Sequence, residues 1–418
     1  MRQHFQVTPA ANIRLLAITL SILTIGVGQQ RAQAADAPKL PVLHIAGTRI
    51  VDGSNKTVAL RGVNLGTWLL VESHFSGFTF EDEKSLRDKL EQRFGADKTR
   101  EIFDAYRAAW IAEDDFTRIK ELGFNHVRVP FYYGLLESDA KPGVYRDDGW
   151  KWLDKAVDGS EKAGLYCILD LHGAPGGQST AEHTGEKNHN IFWTDTAMQN
   201  RAIALWTAVA KRYRGRSCIA AFDLLNEPMG APNGKVLVTG QLELAHAIRK
   251  VDPGRLVIVE DGYKGLQNFG PLTGADKAGV IYSQHNYPTM TKPASPDTHE
   301  QFLKERFPAF AKEQARFAQP LYIGEWNVIQ EASGGGPMAR KHIEAMDKQG
   351  WSWALWIYKQ ANKSPVRECW SIVRNDKSID MPNIETDTAE QIIAKFDQLK
   401  SSNMVVYEPL KKAMAGDK

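Results

Sequence analysis

From Val58 onward the chain alternates short, β-rich apolar runs with amphipathic stretches. The runs cover residues 58–64, 124–130, 165–171, 219–226, 256–260, 280–286, 321–326 and 351–357. Most are continuous rather than alternating, the pattern of parallel strands covered on both faces. Between them, residues 113–122 place Phe116, Ile119 and Leu122 at helical spacing and stop at Gly123, a residue suited to capping a helix C-terminus. Residues 197–213 and 388–399 repeat that spacing, and Lys162-Ala163-Gly164 and Lys348-Gln349-Gly350 end helices just before a strand. Ahead of the first run, residues 41–60 read as a small hairpin turning at Asp52-Gly53-Ser54-Asn55. This order predicts an α/β fold, a (β/α)8 TIM barrel in a single domain with a short N-terminal β-hairpin. An open doubly wound sheet is the alternative. It would usually carry a Gly-rich fingerprint after the first strand, which Gly62-Val63-Asn64-Leu65-Gly66 does not match.

Composition narrows the class. With 43% hydrophobic and 24% charged residues in 418, a large core is possible and disorder is not expected. A net charge of +2 gives no reason to expect a nucleic-acid partner. Arg2 and Arg14 precede and open an uncharged apolar run over residues 15–28, and Ala32-Gln33-Ala34 supplies a small-x-small cleavage pattern. Residues 1–34 are therefore expected to be a signal peptide and 35–418 a single catalytic domain, secreted or periplasmic. The apolar run is short for a membrane span, so no stable membrane insertion is expected after cleavage. The three cysteines, Cys167, Cys218 and Cys369, leave at least one thiol free and do not suggest a disulfide scaffold. The absence of a linker or repeat suggests one domain, and a monomer is expected.

Polar residues collect at the ends of the apolar runs. Arg128, Asp170, His172, Asn226, Glu227, His285, Tyr287, Glu325 and Trp356 all fall there or just beyond. In a barrel those positions form one rim, where chemistry is placed. Lone buried charges are costly, so a ring of them asks for a reason. Two carboxylates across such a mouth suit glycosidic cleavage: one donates a proton to the departing oxygen and the other attacks or stabilises the anomeric carbon. The long stretch of residues 174–195 would border the same rim.

The motifs carrying these residues are "VRVP", "DLHGAPGG", "LLNEP", "QHNYP", "IGEW" and "ALWIY", with "LRGVNLGTWLL" at the first strand. Together, in this order, they resemble glycoside hydrolase family 5 over about residues 45–360. The resemblance implies a retaining double displacement without a cofactor or metal. It matches Glu227 to the acid/base and Glu325 to the nucleophile. It matches Arg128 to the arginine keeping the nucleophile ionised, and Asn226 to the residue bonding the sugar 2-hydroxyl. His285 would hold the acid/base, Tyr287 would sit against the nucleophile, and His172 and Trp356 would shape the site of the cleaved sugar. "GVNLGTWLL" and "LHGAPGGQ" look most like the exo-β-1,3-glucanase and β-glucosidase branches, whereas "STAEHTGEKNHNIFW" departs from them. The substrate expected is a β-glucan or gluco-oligosaccharide.

Several readings compete with this one. A β-1,4-glucanase or a transglycosylase would use the same residues. A carbohydrate-binding protein would have lost a carboxylate, and an aldolase-like barrel would show a phosphate site near the last two strands. Trp68, Glu72, His74, Trp193, Tyr263 and Trp326 are candidates for lining sugar subsites. His183, Glu186 and His189 could in principle gather a metal, but they lack a matched spacing such as HExxH. Activity is therefore expected to survive EDTA unchanged, and reversible loss on chelation would restore the metal reading.

Overall fold

The eight runs close into a barrel in the computed structural model, which describes residues 39–416 apart from Thr291 and Cys369. The expected signal peptide lies outside the described residues. Strands β1 (His44–Ala46) and β2 (Arg49–Val51) form an antiparallel hairpin. The barrel consists of β3 (Arg61–Asn64), β4 (His126–Tyr132), β5 (Tyr166–Gly173), β6 (Ile219–Asp223), β7 (Val257–Glu260), β8 (Val280–Asn286), β9 (Leu321–Trp326) and β10 (Ser352–Leu355). Each pairs in parallel with the next, and β10 closes on β3. A small sheet of β11 (Lys359–Gln360), β12 (Val373–Arg374) and β13 (Val405–Val406) follows, which the sequence pattern did not suggest.

The helices are α1 (Ser73–Ser76), α2 (Glu83–Trp110), α3 (Glu113–Glu121), α4 (Asp147–Ala163), α5 (Thr196–Arg212), α6 (Gly234–Val251), α7 (Gly274–Lys277), α8 (Pro296–Phe317), α9 (Gly335–Gln349), α10 (Ala389–Lys395) and α11 (Glu408–Ala415). Helix α2 breaks at Gly95, whose φ of 79° is not helical. Among the described residues no helix is long and apolar enough to cross a membrane.

Residues two apart on a strand share a face. The inward positions build a layered interior. Ile168, Ala221, Ile258 and Ile281 form an apolar layer with Tyr322 and Ala354. Two residues further along, Asp170, Asp223, Glu260 and Ser283 replace them, so polarity rises toward the C-terminal mouth. Outward positions such as Val127, Val129, Leu169, Phe222 and Val257 pack with Leu153, Trp206 and Leu244 of the surrounding helices. Covering both faces is why the runs read as continuous apolar segments.

The hairpin closes the other end, with Leu43 and Ile50 in the same cluster as the apolar layer. Its turn is not where the pattern placed it. β1 and β2 reverse at Gly47 and Thr48, and Gly47 has a φ of 62°. Asp52–Asn55 instead makes a second turn, in which Asp52 Oδ1 accepts from the backbone of Ser54 and Lys56 and brings Val51 against Thr57. Both segments have turn chemistry; the register that buries Ile50 decides between them.

Three fully buried histidines lie in this framework. His126 bonds the Tyr322 hydroxyl at 3.0 Å, and His299 Nδ1 lies 3.0 Å from His342 Nε2. Burial lowers His126 and His342 to about 3 and His299 to about 4. The unfolded chain takes up these protons near pH 6.5, whereas the native protein refuses them until about pH 4 or below. Stability is therefore full above about pH 6.5 and falls as pH drops, by up to about 1.4 kcal/mol per pH unit for each histidine. Urea midpoints are expected to decline between pH 7 and pH 5, with a shallower slope for His342→Gln; an equal slope would exclude that histidine from the effect.

Candidate active site

One guanidinium organises the mouth. Arg128, from β4, is fully buried and uses all five of its N–H donors. Nε donates to Asp223 Oδ2 at 2.8 Å. Nη1 donates to Asn64 Oδ1 at 3.1 Å and to Glu325 Oε1 at 2.9 Å. Nη2 donates to Asn226 Oδ1 at 2.9 Å and Glu260 Oε1 at 3.0 Å, with Asp170 Oδ2 3.2 Å away. Strands β3, β4, β5, β6, β7 and β9 thus converge on a single side chain. The surrounding carboxylates raise Arg128 well above its ordinary value although burial opposes them. Burial acts unequally on the acids. Burial and Glu260 push Asp223 well above the carboxylate range, and burial lifts Asp170 to about 7 against the pull of Arg128.

Glu325 reaches this cluster by a fault in the sheet. Along β8 and β9, Gln284 pairs with Ile323 but His285 pairs with Glu325, so Gly324 is an extra residue. Strict alternation from the inward Tyr322 would turn Glu325 outward; the bulge turns it in. A Cβ on Gly324 would lie 2.8 Å from His285 Nε2, so the bulge needs glycine. The two oxygens of Glu325 are then held separately, Oε1 by Arg128 and Oε2 by the Tyr287 hydroxyl at 2.8 Å.

Glu227 follows β6 in the left-handed region, at a φ of 41°, a conformation rare for a residue with a side chain. Its N–H donates to Glu260 Oε2 at 2.7 Å, which fixes this turn. Its Oε1 accepts from the Tyr263 hydroxyl at 2.7 Å and lies 2.8 Å from His285 Nδ1. Burial opposes charge on His285, but Glu260 and Glu325 outweigh it and hold the imidazole well above its usual value. Burial likewise works to raise Glu227, and His285, His183 and Tyr263 together hold it low. The shared proton therefore rests on His285 in the open site. With Oε1 engaged by two donors, any proton that Glu227 carries belongs on Oε2, the oxygen left to the cleft.

His172 and Asn226 orient one another. Burial lowers His172 to about 3, so the neutral ring donates from Nδ1 to Asp170 at 2.7 Å and accepts from Asn226 Nδ2 at Nε2, 3.3 Å away. Trp356 stacks on the His172 ring, with centroids 5.6 Å apart and planes at 12°. Gln178 ties the two strand ends together, donating to the carbonyls of His172 and Asn226 at 2.7 and 2.8 Å.

All eight site residues singled out by sequence therefore meet at one mouth, under a cleft of about 940 Å³. Glu72, His74 and Tyr263 line that cleft as expected, joined by Trp370. Trp68, Trp193 and Trp326 do not: they are buried in the packing, Trp68 against Phe116 and Trp326 on His342. Glu186 pairs with His189 at 2.7 Å, while His183 turns toward Glu227. Sequence reasoning missed Glu260, Gln178 and Asn64. Glu260 ends its run as the others do, and the strand-end rule would have found it.

Removing the hub leaves buried carboxylates without their guanidinium partner. Arg128→Gln is expected to cost about 3–5 kcal/mol in urea denaturation. Asp223→Asn, replacing an acid whose charged form burial and Glu260 disfavour, is expected to stay within about 1 kcal/mol. Equal losses would show that Asp223 is ionised.

The description "Cellulase (glycosyl hydrolase family 5)" matches residues 91–362, more than half of the chain. A β-xylosidase of Phanerodontia chrysosporium is 30% identical over 338 residues, 76% of this chain and 70% of that protein. A probable glucan 1,3-beta-glucosidase A of Aspergillus fumigatus is 28% identical over 355 residues, 82% and 80% of the two chains. The crystal structure of rutinosidase from Aspergillus niger shares the fold, with a TM-score of 0.61 at 17% identity over 72% of this chain and 90% of that one. The chain belongs to glycosyl hydrolase family 5 and is an O-glycosyl hydrolase.

Proposed function

We propose that the protein is a retaining β-glycosidase that cleaves β-glucosidic bonds in glucans or gluco-oligosaccharides, with Glu325 as nucleophile and Glu227 as acid/base. The observation that carries this reading is their closeness. One oxygen from each carboxylate and a ring nitrogen of His285 all lie within 4.8 Å of one another. Retaining enzymes hold their carboxyl groups about 5–5.5 Å apart, too close for an intervening water, whereas inverting ones leave about 6.5–9.5 Å.

The division of roles follows from the donors. Glu325 is held by a guanidinium and a phenol, which leaves it a carboxylate beside the anomeric carbon. Glu227 offers Oε2 toward the departing oxygen. A sugar covering the mouth removes water from Glu227 and favours its neutral form, arming it as an acid. In the first step the glycosidic C–O bond breaks, Glu227 protonates the leaving oxygen and Glu325 bonds the anomeric carbon. In the second, Glu227 takes a proton from water, whose oxygen displaces Glu325. Asn226, oriented by Arg128 and His172, is placed to bond the sugar 2-hydroxyl, and Trp356 to face the ring.

The finer reading is an exo-acting β-1,3-glucanase, supported by the first-strand motif and by the glucan 1,3-beta-glucosidase relative. The N-terminal leader supports export to the periplasm or medium. Time-resolved proton NMR with matched β-1,3- and β-1,4-gluco-oligosaccharides tests this. A β-anomer released one unit at a time from the β-1,3 series is expected. A first-formed α-anomer would overturn retention, and faster turnover of xylo-oligosaccharides would move the substrate toward that of the β-xylosidase relative. Glu325→Gln is expected to lose about 10⁴-fold or more in kcat while staying folded; retained activity would remove the nucleophile assignment.

A further inference from the structure

The acid/base carboxylate has a second imidazole beside it. His183 lies in the long segment of residues 174–195 that follows β5. Its Nε2 is buried, makes no hydrogen bond, and sits 3.5 Å from Glu227 Oε2. This is the oxygen that His285 and Tyr263 leave open.

The position is built, not incidental. His183 belongs to a single 3-10 turn, Glu182–Thr184, closed by the N–H of Gly185 donating to the Glu182 carbonyl at 3.0 Å. The Gly185 carbonyl accepts from Lys84 N–H at 3.0 Å, and Lys187 N–H donates to Asp82 Oδ2 at 2.9 Å. On the barrel side the turn presses on β5: a Cβ on Gly173 would lie 2.2 Å from the Thr184 carbonyl oxygen. The His183 ring meets His172 edge-on, with centroids 5.8 Å apart. Helix α2 and strand β5 thus hold the turn from two sides and fix where its imidazole points.

We infer that His183 is a positioning residue for Glu227, facing Oε2 and stabilising that carboxylate once its proton has passed to the departing oxygen. The inference rests on Glu227 being the acid/base. Other groups also face Glu227: His285 from β8, Glu260 and Tyr263 from β7 and its loop, Glu325 from β9, Glu72 from the loop after β3, and His172 from β5. Of these, His285 and Tyr263 act at Oε1; His183 stands at Oε2. Its nearness contributes to holding Glu227 low, so its loss should make Glu227 a weaker acid and a stronger base.

These two effects have opposite signs in the two half-reactions, which a merely structural defect would not produce. With His183→Ala, kcat/KM on an unactivated disaccharide is expected to fall about tenfold, and its alkaline limb to move to higher pH. With a 2,4-dinitrophenyl glycoside, whose departure needs no acid and whose turnover is limited by deglycosylation, kcat is expected to stay level or rise. His183→Gln, which keeps a neutral donor near the same place, should recover part of the disaccharide rate without restoring the limb. Equal losses on both substrates with an unmoved limb, or no change on either, would overturn the inference. Glu227→Ala run alongside separates this from failure of the parent reading. If it keeps kcat/KM and the dinitrophenol burst on the activated glycoside, which report the first step alone, and abolishes disaccharide cleavage, the acid assignment stands whatever His183 does. If kcat/KM falls alike on both, with no burst from the activated glycoside, the acid assignment itself has failed.

Discussion

The mouth of this barrel depends on one buried cation. Arg128 satisfies acceptors from five other strands or strand ends, so the carboxylates there lose hydration without losing partners. A carboxylate buried alone would be neutralised or would unfold its surroundings. Grouped around a planar guanidinium, they are shifted in opposite directions, Asp223 and Asp170 upward by burial and Glu260, against burial, downward by its cationic neighbours.

Glu260 is the second centre. It accepts from Arg128, lies 3.2 Å from the His285 ring and receives the N–H of Glu227, so it links the cation to the chain that presents the acid/base candidate. The left-handed turn at Glu227 is sustained by that bond. Gln178 then ties the β5 end to the β6 end, so His172 and Asn226 keep their mutual orientation. The polar network is interlocked, and each member restricts the rotamers of the next.

The long segment after β5 adds what the barrel strands do not supply. It places Glu182 and His183 over the cleft and is anchored to α2 rather than left free. Loops at the C-terminal mouth of a barrel are where a difference in chemistry can be built without disturbing the core.

Much of this was legible in the chain. Continuous apolar runs ended by polar residues follow from strands that are covered on both faces and open only at the mouth. That pattern determined the barrel and the rim, and the resemblance to the family singled out the eight candidate residues on it. Other features were not legible because they depend on contacts distant in sequence. The hairpin turn moved from Asp52–Asn55 to Gly47 because burial of Ile50 chose the register. Trp68 and Trp326 became packing because helices covered them, although their motifs sit beside the site. Glu325 faces inward only because Gly324 is an extra residue opposite β8, which alternation along β9 would not give. The sequence by itself determined which side chains gather at the barrel mouth, because strand ends place them there. Only the tertiary structure decided which acids pair with Arg128 and in which direction each is shifted, because that depends on distances and burial set by neighbouring strands.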